Sequence, residues 1–194
     1  GSLRTDNARW LDVGTIEIAP SLTGNSYLGA GDVAAKQNAT VGRFAPFRFA
    51  LHSSAVTNSC LAGDFSYMSE PALTVSYQLY AVDRDGNITE NYDASGYTGT
   101  AEVAFTAANL APADTAAERF NERLLNLPAQ QSWTAGVMAF SAANGGFSRH
   151  PDGIIDGPFA SLQLGLRVLS ELDNRDFAAT DLSLAAVAGA AAPL

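Results

Sequence analysis

Cysteine is almost missing from this chain: Cys60 stands alone among 194 residues. No internal disulfide can close, and neither a cysteine zinc site nor a disulfide scaffold is available. A buried or half-buried thiol is expected at Cys60, with a cysteine elsewhere in a longer parent protein as the alternative partner. Lysine is equally scarce, since ten of the eleven basic residues are arginine and Lys36 is the single lysine. An amide cross-link between lysine and Asn or Asp would therefore have to use Lys36. That residue lies in the polar, loop-like stretch 31–40 (GDVAAKQNAT), where a buried cross-link is not expected.

Positive charge is sparse as well: eleven basic residues face twenty acidic ones, the net charge is −9, and Lys and Arg form no cluster. The phosphate-neutralising surface of a nucleic-acid binder is missing. No apolar run reaches the ~20 residues of a spanning helix. The nearest approach, 182–194, is shorter and alanine-rich. Neither a G-x-G-x-x-G or P-loop phosphate cradle nor a G-x-S-x-G nucleophile elbow occurs. Charged residues make up only 16% against 47% hydrophobic, which excludes a disordered acidic tail and leaves ample apolar side chains for one large core.

What is present is alternation with period two, the signature of strands with one buried and one wet face. In 73–82 (LTVSYQLYAV) Leu73, Val75, Tyr77, Leu79 and Ala81 share a face opposite Thr74, Ser76 and Gln78. In 160–168 the apolar face is Ala160, Leu162, Leu164, Leu166 and Val168, against Ser161, Gln163, Gly165 and Arg167. Phe47, Phe49 and Leu51 alternate with Arg48, Ala50 and His52, while Ile16/Ile18, Ala101/Val103/Phe105 and Leu182/Leu184/Ala186 supply further strands. Turns are expected at Asp85-Gly86, Asn144-Gly145-Gly146, Asp152-Gly153 and Asp156-Gly157-Pro158.

One segment breaks this rhythm. Residues 115–127 (TAAERFNERLLNL) put Ala117, Phe120, Leu124 and Leu127 on one helical face, and Thr115 with Glu118 has capping-box spacing. A short helix plugging one end of the strands is expected there, between Pro112 and Pro128. The fold class is thus all-β: an antiparallel β-sandwich, immunoglobulin-like with additional strands and one short helix around 115–127.

Candidate chemistry is thin. Asp83, Asp85, Asn87 and Asp93 form an oxygen-rich loop, the donor type that Ca²⁺ takes, but the glycine and acid spacing is not that of an EF-hand. A second acidic turn lies at 172–176. No cofactor is expected beyond Ca²⁺ at these loops. Ser148, His150 and Asp152 bring triad residue types together, yet triad members meet from distant positions, so a surface turn with a solvated His150 is the expectation, and no catalytic residue is assigned. Trp10, Tyr27, Tyr67, Tyr77, Tyr92, Tyr97 and Trp133 are enough rings for a sugar-stacking platform, with Trp10, Tyr97 and Trp133 as the ligand candidates.

Residues 41–51 (VGRFAPFRFAL), 65–68 (FSYM) and 87–97 (NITENYDASGY) carry a family resemblance. With them the chain resembles the domain of unknown function near the C-terminus of MshQ-like proteins, large bacterial surface proteins associated with type IV pilus biogenesis of the mannose-sensitive haemagglutinin kind. It departs from that pattern at Ala45-Pro46-Phe47, where a polar or charged residue more often flanks the proline. The resemblance implies residues 3–40 as the last strands of a preceding β module, or else a packed extension, ahead of a main sandwich at 41–185, and composition makes 186–194 an alanine-rich tail or linker. It implies export to the bacterial cell surface, outer membrane or pilus, and a structural or contact role whose partners are other domains of the same protein and pilus or surface proteins. A glycan-binding adhesion module is the alternative, and neither an enzyme nor a nucleic-acid partner is expected. Gly1-Ser2 reads as a cloning remnant, so a longer parent protein is expected.

Overall fold

Alternation builds the molecule. In the computed structural model, which describes residues 6–20, 39–60, 64–109, 119–153, 156–159, 162–169 and 180–187, nine strands follow one another. They are β1 (Gly14–Ile18), β2 (Ala39–Phe44), β3 (Arg48–Thr57), β4 (Leu73–Val82), β5 (Glu102–Asn109), β6 (Leu124–Leu125), β7 (Val137–Phe147), β8 (Leu162–Leu169) and β9 (Thr180–Val187). All pairings are antiparallel. One sheet has the order β3-β4-β7-β6, the other β5-β8-β9, and β1 pairs with β2 alone. Numbered from β3, the two larger sheets are first-second-fifth-fourth and third-sixth-seventh, the strand order of a constant-type immunoglobulin sandwich. Edge strand β3 runs beside edge strand β9, closing one side of the sandwich.

The core lies where the alternation pointed. Leu73, Val75, Tyr77, Leu79 and Ala81 of β4 and Leu162, Leu164, Leu166 and Val168 of β8 are all buried, joined by Val103 and Phe105 of β5. Each such leucine contributes about 1.5–3 kcal/mol over leaving it in water. Burial of Tyr77, whose hydroxyl donates to the soft Met138 Sδ at 3.5 Å, pushes its ionisation well above the ordinary phenol range. Leu182 and Leu184 pack against this core from β9. Val13, just ahead of β1, belongs to the same core, so the β1–β2 hairpin sits on the sandwich, and position 40/41 falls inside β2.

Four local readings change. Phe47 is 61% exposed: its N–H bonds the Val82 carbonyl, but the residue precedes β3 and its ring points away from the core that Phe49 enters. His52 is the extra residue of a bulge between Leu51 and Ser53, which ends simple alternation in β3. Asn144-Gly145-Gly146 is no turn but part of β7, and its glycines permit a close approach: a Cβ on Gly146 would meet the Glu70 carbonyl oxygen at 2.7 Å. In the window expected to be helical, residues 119–127 show one 3-10 turn, Phe120–Arg123, after which Leu124–Leu125 pair with Gly146 and Phe147 as β6. The proposed cap at Thr115 and Glu118 lies outside the described residues. Phe120 and Leu127 are buried as the stripe required, and Leu124 packs against the core.

Gly136 makes one turn possible. It has φ +75°, and a Cβ there would meet Ile88 Cγ2 at 2.5 Å and the Thr89 carbonyl oxygen at 2.6 Å. Gly136→Ala is therefore expected to destabilise the fold by about 1–3 kcal/mol through backbone strain and overpacking. The check is the urea midpoint at unchanged m-value; an unshifted midpoint would contradict this packing.

Candidate functional site

The β4–β5 connection holds most of the oxygen-rich residues, and its aspartates are engaged by the loop itself and by the segments beside it. Asp83 Oδ1 accepts the N–H groups of Asp85 and Asn87, each at 2.8 Å, and Oδ2 accepts the Asn87 side-chain amide at 3.1 Å. That amide, followed by the backbone donors of Asn87, Asp85 and Gly86, holds the Asp83 carboxyl below its usual range despite a raising contribution from desolvation. Asp93 accepts the Ser95 hydroxyl at 2.6 Å, the Ser95 N–H at 2.8 Å and the Ala135 N–H at 3.1 Å. Its carboxyl is also held low, the Ser95 hydroxyl contributing most. Asp85 pairs instead with Arg9 at 2.7 Å. Of the four calcium candidates, then, the structure joins Asp83 to Asn87 and directs Asp85 and Asp93 elsewhere. Among the described residues no group of three or more His, Cys, Asp or Glu side chains is placed to hold a metal ion.

Lowered carboxyl pKa values have a sign. Both groups contribute their full stabilisation above the ordinary carboxylate pKa and lose it as pH falls through the lower, folded-state value. The Asp83→Ala/Asp93→Ala double variant is expected to be less stable at neutral pH and to lose stability less steeply than wild type between about pH 5 and pH 2. Urea midpoints measured across that range check it, and parallel acid limbs would refute it.

The same connection forms one wall of two open depressions. One, of about 450 Å³, is lined by Val13, Thr15, Arg43, Asn91, Tyr97 and Thr98. The other, of about 430 Å³, lies across the loop against Ser95, Thr100 and Gln131. Arg43 of β2 lies 5.1 Å over the Tyr97 ring and donates to the Thr98 carbonyl at 2.6 Å, joining the hairpin to the sandwich. These linings offer hydroxyls, amides and a guanidinium, groups that bond a protein or sugar surface.

The aromatic candidates separate by burial. Trp133 is 1% exposed, sits 5.2 Å from Phe49 and 5.0 Å from Tyr92 between ring centroids, and donates its Nε1–H to the Ala101 carbonyl at 2.7 Å. Tyr97 is buried beneath Arg43 and against Tyr92. Trp10 alone of the three presents an open ring, at 44% exposure. Tyr77 and Tyr92 are core residues, and Tyr67 is part-exposed, edge-on to Phe65.

His150 is not the solvated residue expected of its turn; it is buried. Its Nδ1 accepts the Asp152 N–H at 3.1 Å, and its own backbone N–H donates to Asp156 Oδ2 at 2.8 Å. A triad histidine instead donates Nδ1–H to the orienting carboxylate, whereas here the Asp152 carboxylate stands 3.9 Å from Nδ1. Ser148 engages Arg123 through its backbone, accepting from Nε and Nη2 at 3.0 Å each and donating to the Arg123 carbonyl at 2.7 Å. His52, at the β3 bulge, stacks on Tyr80.

Sequence reasoning passed over the residues that hold this turn. Arg123, 2% exposed, places Nη2 at 2.7 and 2.6 Å from the two oxygens of buried Asp156, with its guanidinium 4.8 Å over the Phe120 ring. The one signal in the sequence was Asp156 itself, an acid among apolar neighbours; the turn expected at Asp156-Gly157-Pro158 is not formed. Cys60 is half-buried and bridges Phe65 through the backbone. Lys36, Tyr27 and the acidic turn at 172–176 lie outside the described residues.

Against known proteins, the model of one family, described as DUF6701, third domain, matches residues 12–192. No curated protein and no solved structure matches the chain.

Proposed function

Because the chain belongs to the family of DUF6701 third domains, a class of unknown function, we propose that it is a non-catalytic structural and contact module of a large exported bacterial surface protein. The parent would be of the MshQ-like kind, working in type IV pilus biogenesis or adhesion at the cell surface, with other domains of the same protein and pilus or surface proteins as its neighbours. The observation that supports this reading is how the buried polar groups are used. Asp83 organises the turn after β4, and Arg123 with Asp156 fastens the segment after β7 to the 3-10 turn. His150 is engaged in the same segment through Nδ1 and its N–H. Polar groups spent in this way make loops rigid, and rigid loops at the ends of a sandwich suit a spacer that presents faces to neighbours.

In-frame removal of residues 12–192 from the parent protein tests it. Pilus display or surface attachment is expected to fall in cells carrying the deletion, and unchanged display and attachment would refute the reading. A glycan array decides the alternative: specific retention by wild type, lost in Trp10→Ala, would make this a lectin-like adhesion module, Trp10 being the candidate ring left open.

A further inference from the structure

Four of the seven large apolar side chains left exposed among the described residues gather at one end of the sandwich, while Ile18 and Val41 lie on the β1–β2 pair and Tyr67 lies elsewhere. Trp10, Leu11, Phe47 and Ile88 are 44%, 52%, 61% and 37% exposed. Ile88 lies in the loop 83–91 and the other three beside it. Ile88 bridges Val82, and the Phe47 N–H donates to the Val82 carbonyl at 2.9 Å. Arg9 pairs with Asp85 at 2.7 Å and Asp12 accepts the Asn91 N–H at 3.2 Å, which sets the intervening Trp10 and Leu11 against the same loop. Exposed Arg84 and Glu90, with the Arg9–Asp85 pair, supply charge around them. An apolar centre with a charged rim is the anatomy of a protein contact face. At the far end of β3, beyond Thr57, Tyr67 is the exposed large apolar side chain.

Resting on the contact-module reading, we infer that this face docks the domain preceding this one in the family's order. The family description makes the chain a third domain, so chains carrying the whole series have a domain ahead of it. The polypeptide enters the sandwich along this patch. Its entry is fixed by the Arg9 and Asp12 contacts and by Val13, 2% exposed in the core, so an upstream domain is tethered from an anchored point beside the apolar residues. Such tethering gives an effective concentration of about millimolar, enough for a patch too small to hold a free partner.

Hydroxyl-radical footprinting of a longer natural chain that includes the preceding domain, compared with this 194-residue chain, tests the inference. Oxidation of Trp10 and Phe47 is expected to slow severalfold in the longer chain while Tyr67 oxidises equally in both, and Phe47→Arg in the longer chain is expected to restore Trp10 oxidation. Equal rates at Trp10 and Phe47 in the two chains would overturn it. So would protection that appears in the 194-residue chain as its concentration rises, which would assign the face to a second copy. Attachment lost on domain deletion without protection at Trp10 would leave the contact role standing and remove this face from it.

Discussion

Asp156→Ala is expected to lower folding stability by about 3–5 kcal/mol, the cost of removing one partner from a buried ion pair. The Arg123 and Asp156 side chains are 3% and 7% exposed, so neither recovers its hydration when the other is removed. Among the partners the Arg123 guanidinium would keep in the variant, the Ser148 carbonyl, the Phe120 ring face and the Met68 sulfur at 3.8 Å are neutral groups. The His150 N–H would lose its acceptor as well. By contrast Arg9–Asp85, with side chains 62% and 50% exposed, is a pair of the kind worth about 0–1 kcal/mol. Asp156→Asn keeps an acceptor and should cost less than Asp156→Ala. Arg123→Met with Asp156→Ala removes both partners, and the double variant should lose well under the sum of the singles. A cycle built from urea midpoints measures that coupling; additive losses, or a cost below about 1 kcal/mol for Asp156→Ala, would mean the pair is solvated.

The pair also shows what the sequence left unreadable. Strands β4 and β8 were legible because each buries every second side chain, five in β4 and four in β8, a demand that consecutive alternation states locally. The phase of β3 was harder: alternation cannot tell whether Phe47 joins the strand or precedes it, and the His52 bulge changes phase within the run. The 115–127 window carried a true apolar stripe, with Phe120 and Leu127 inside, but pairing of Leu124–Leu125 with β7 set the backbone after one 3-10 turn. That pairing is non-local and leaves no period behind. Gly145 and Gly146 looked like turn residues because glycine serves both turns and close approaches, and the Glu70 backbone that needs the space is distant in sequence. Arg123 and Asp156 are 33 residues apart, and His150 follows them into the interior. Burial of an ionisable residue depends on its partner, and a single sequence does not say who the partner is.

Trp133→Ala should cost about 3–5 kcal/mol, as large aromatic deletions in well-packed cores do. Two contributions add. The indole fills the space between Phe49 and Tyr92, at ring distances of 5.2 and 5.0 Å, in a region whose neighbours are tied down and cannot collapse far. Its Nε1–H is also half of a two-sided hold on Ala101, the fully buried residue that leads into β5: Trp133 donates to the Ala101 carbonyl at 2.7 Å, and Tyr92 Oη accepts the Ala101 N–H at 2.6 Å. Trp133→Phe separates the two, keeping much of the ring while stranding the carbonyl at a cost of about 1–3 kcal/mol. Tyr92→Phe strands the N–H at a similar cost. Because both act on one residue, the double Trp133→Phe/Tyr92→Phe variant should be non-additive. The hold joins the 91–101 and 131–137 segments, so its loss should quench near-ultraviolet circular dichroism and speed amide exchange at Gly136, whose N–H bonds the Tyr92 carbonyl, before the β-sheet signal falls. If Trp133→Ala unfolded within about 1 kcal/mol of wild type, the indole would be space-filling that the core can repack around, and the rigidity attributed to these loops would have to come from elsewhere.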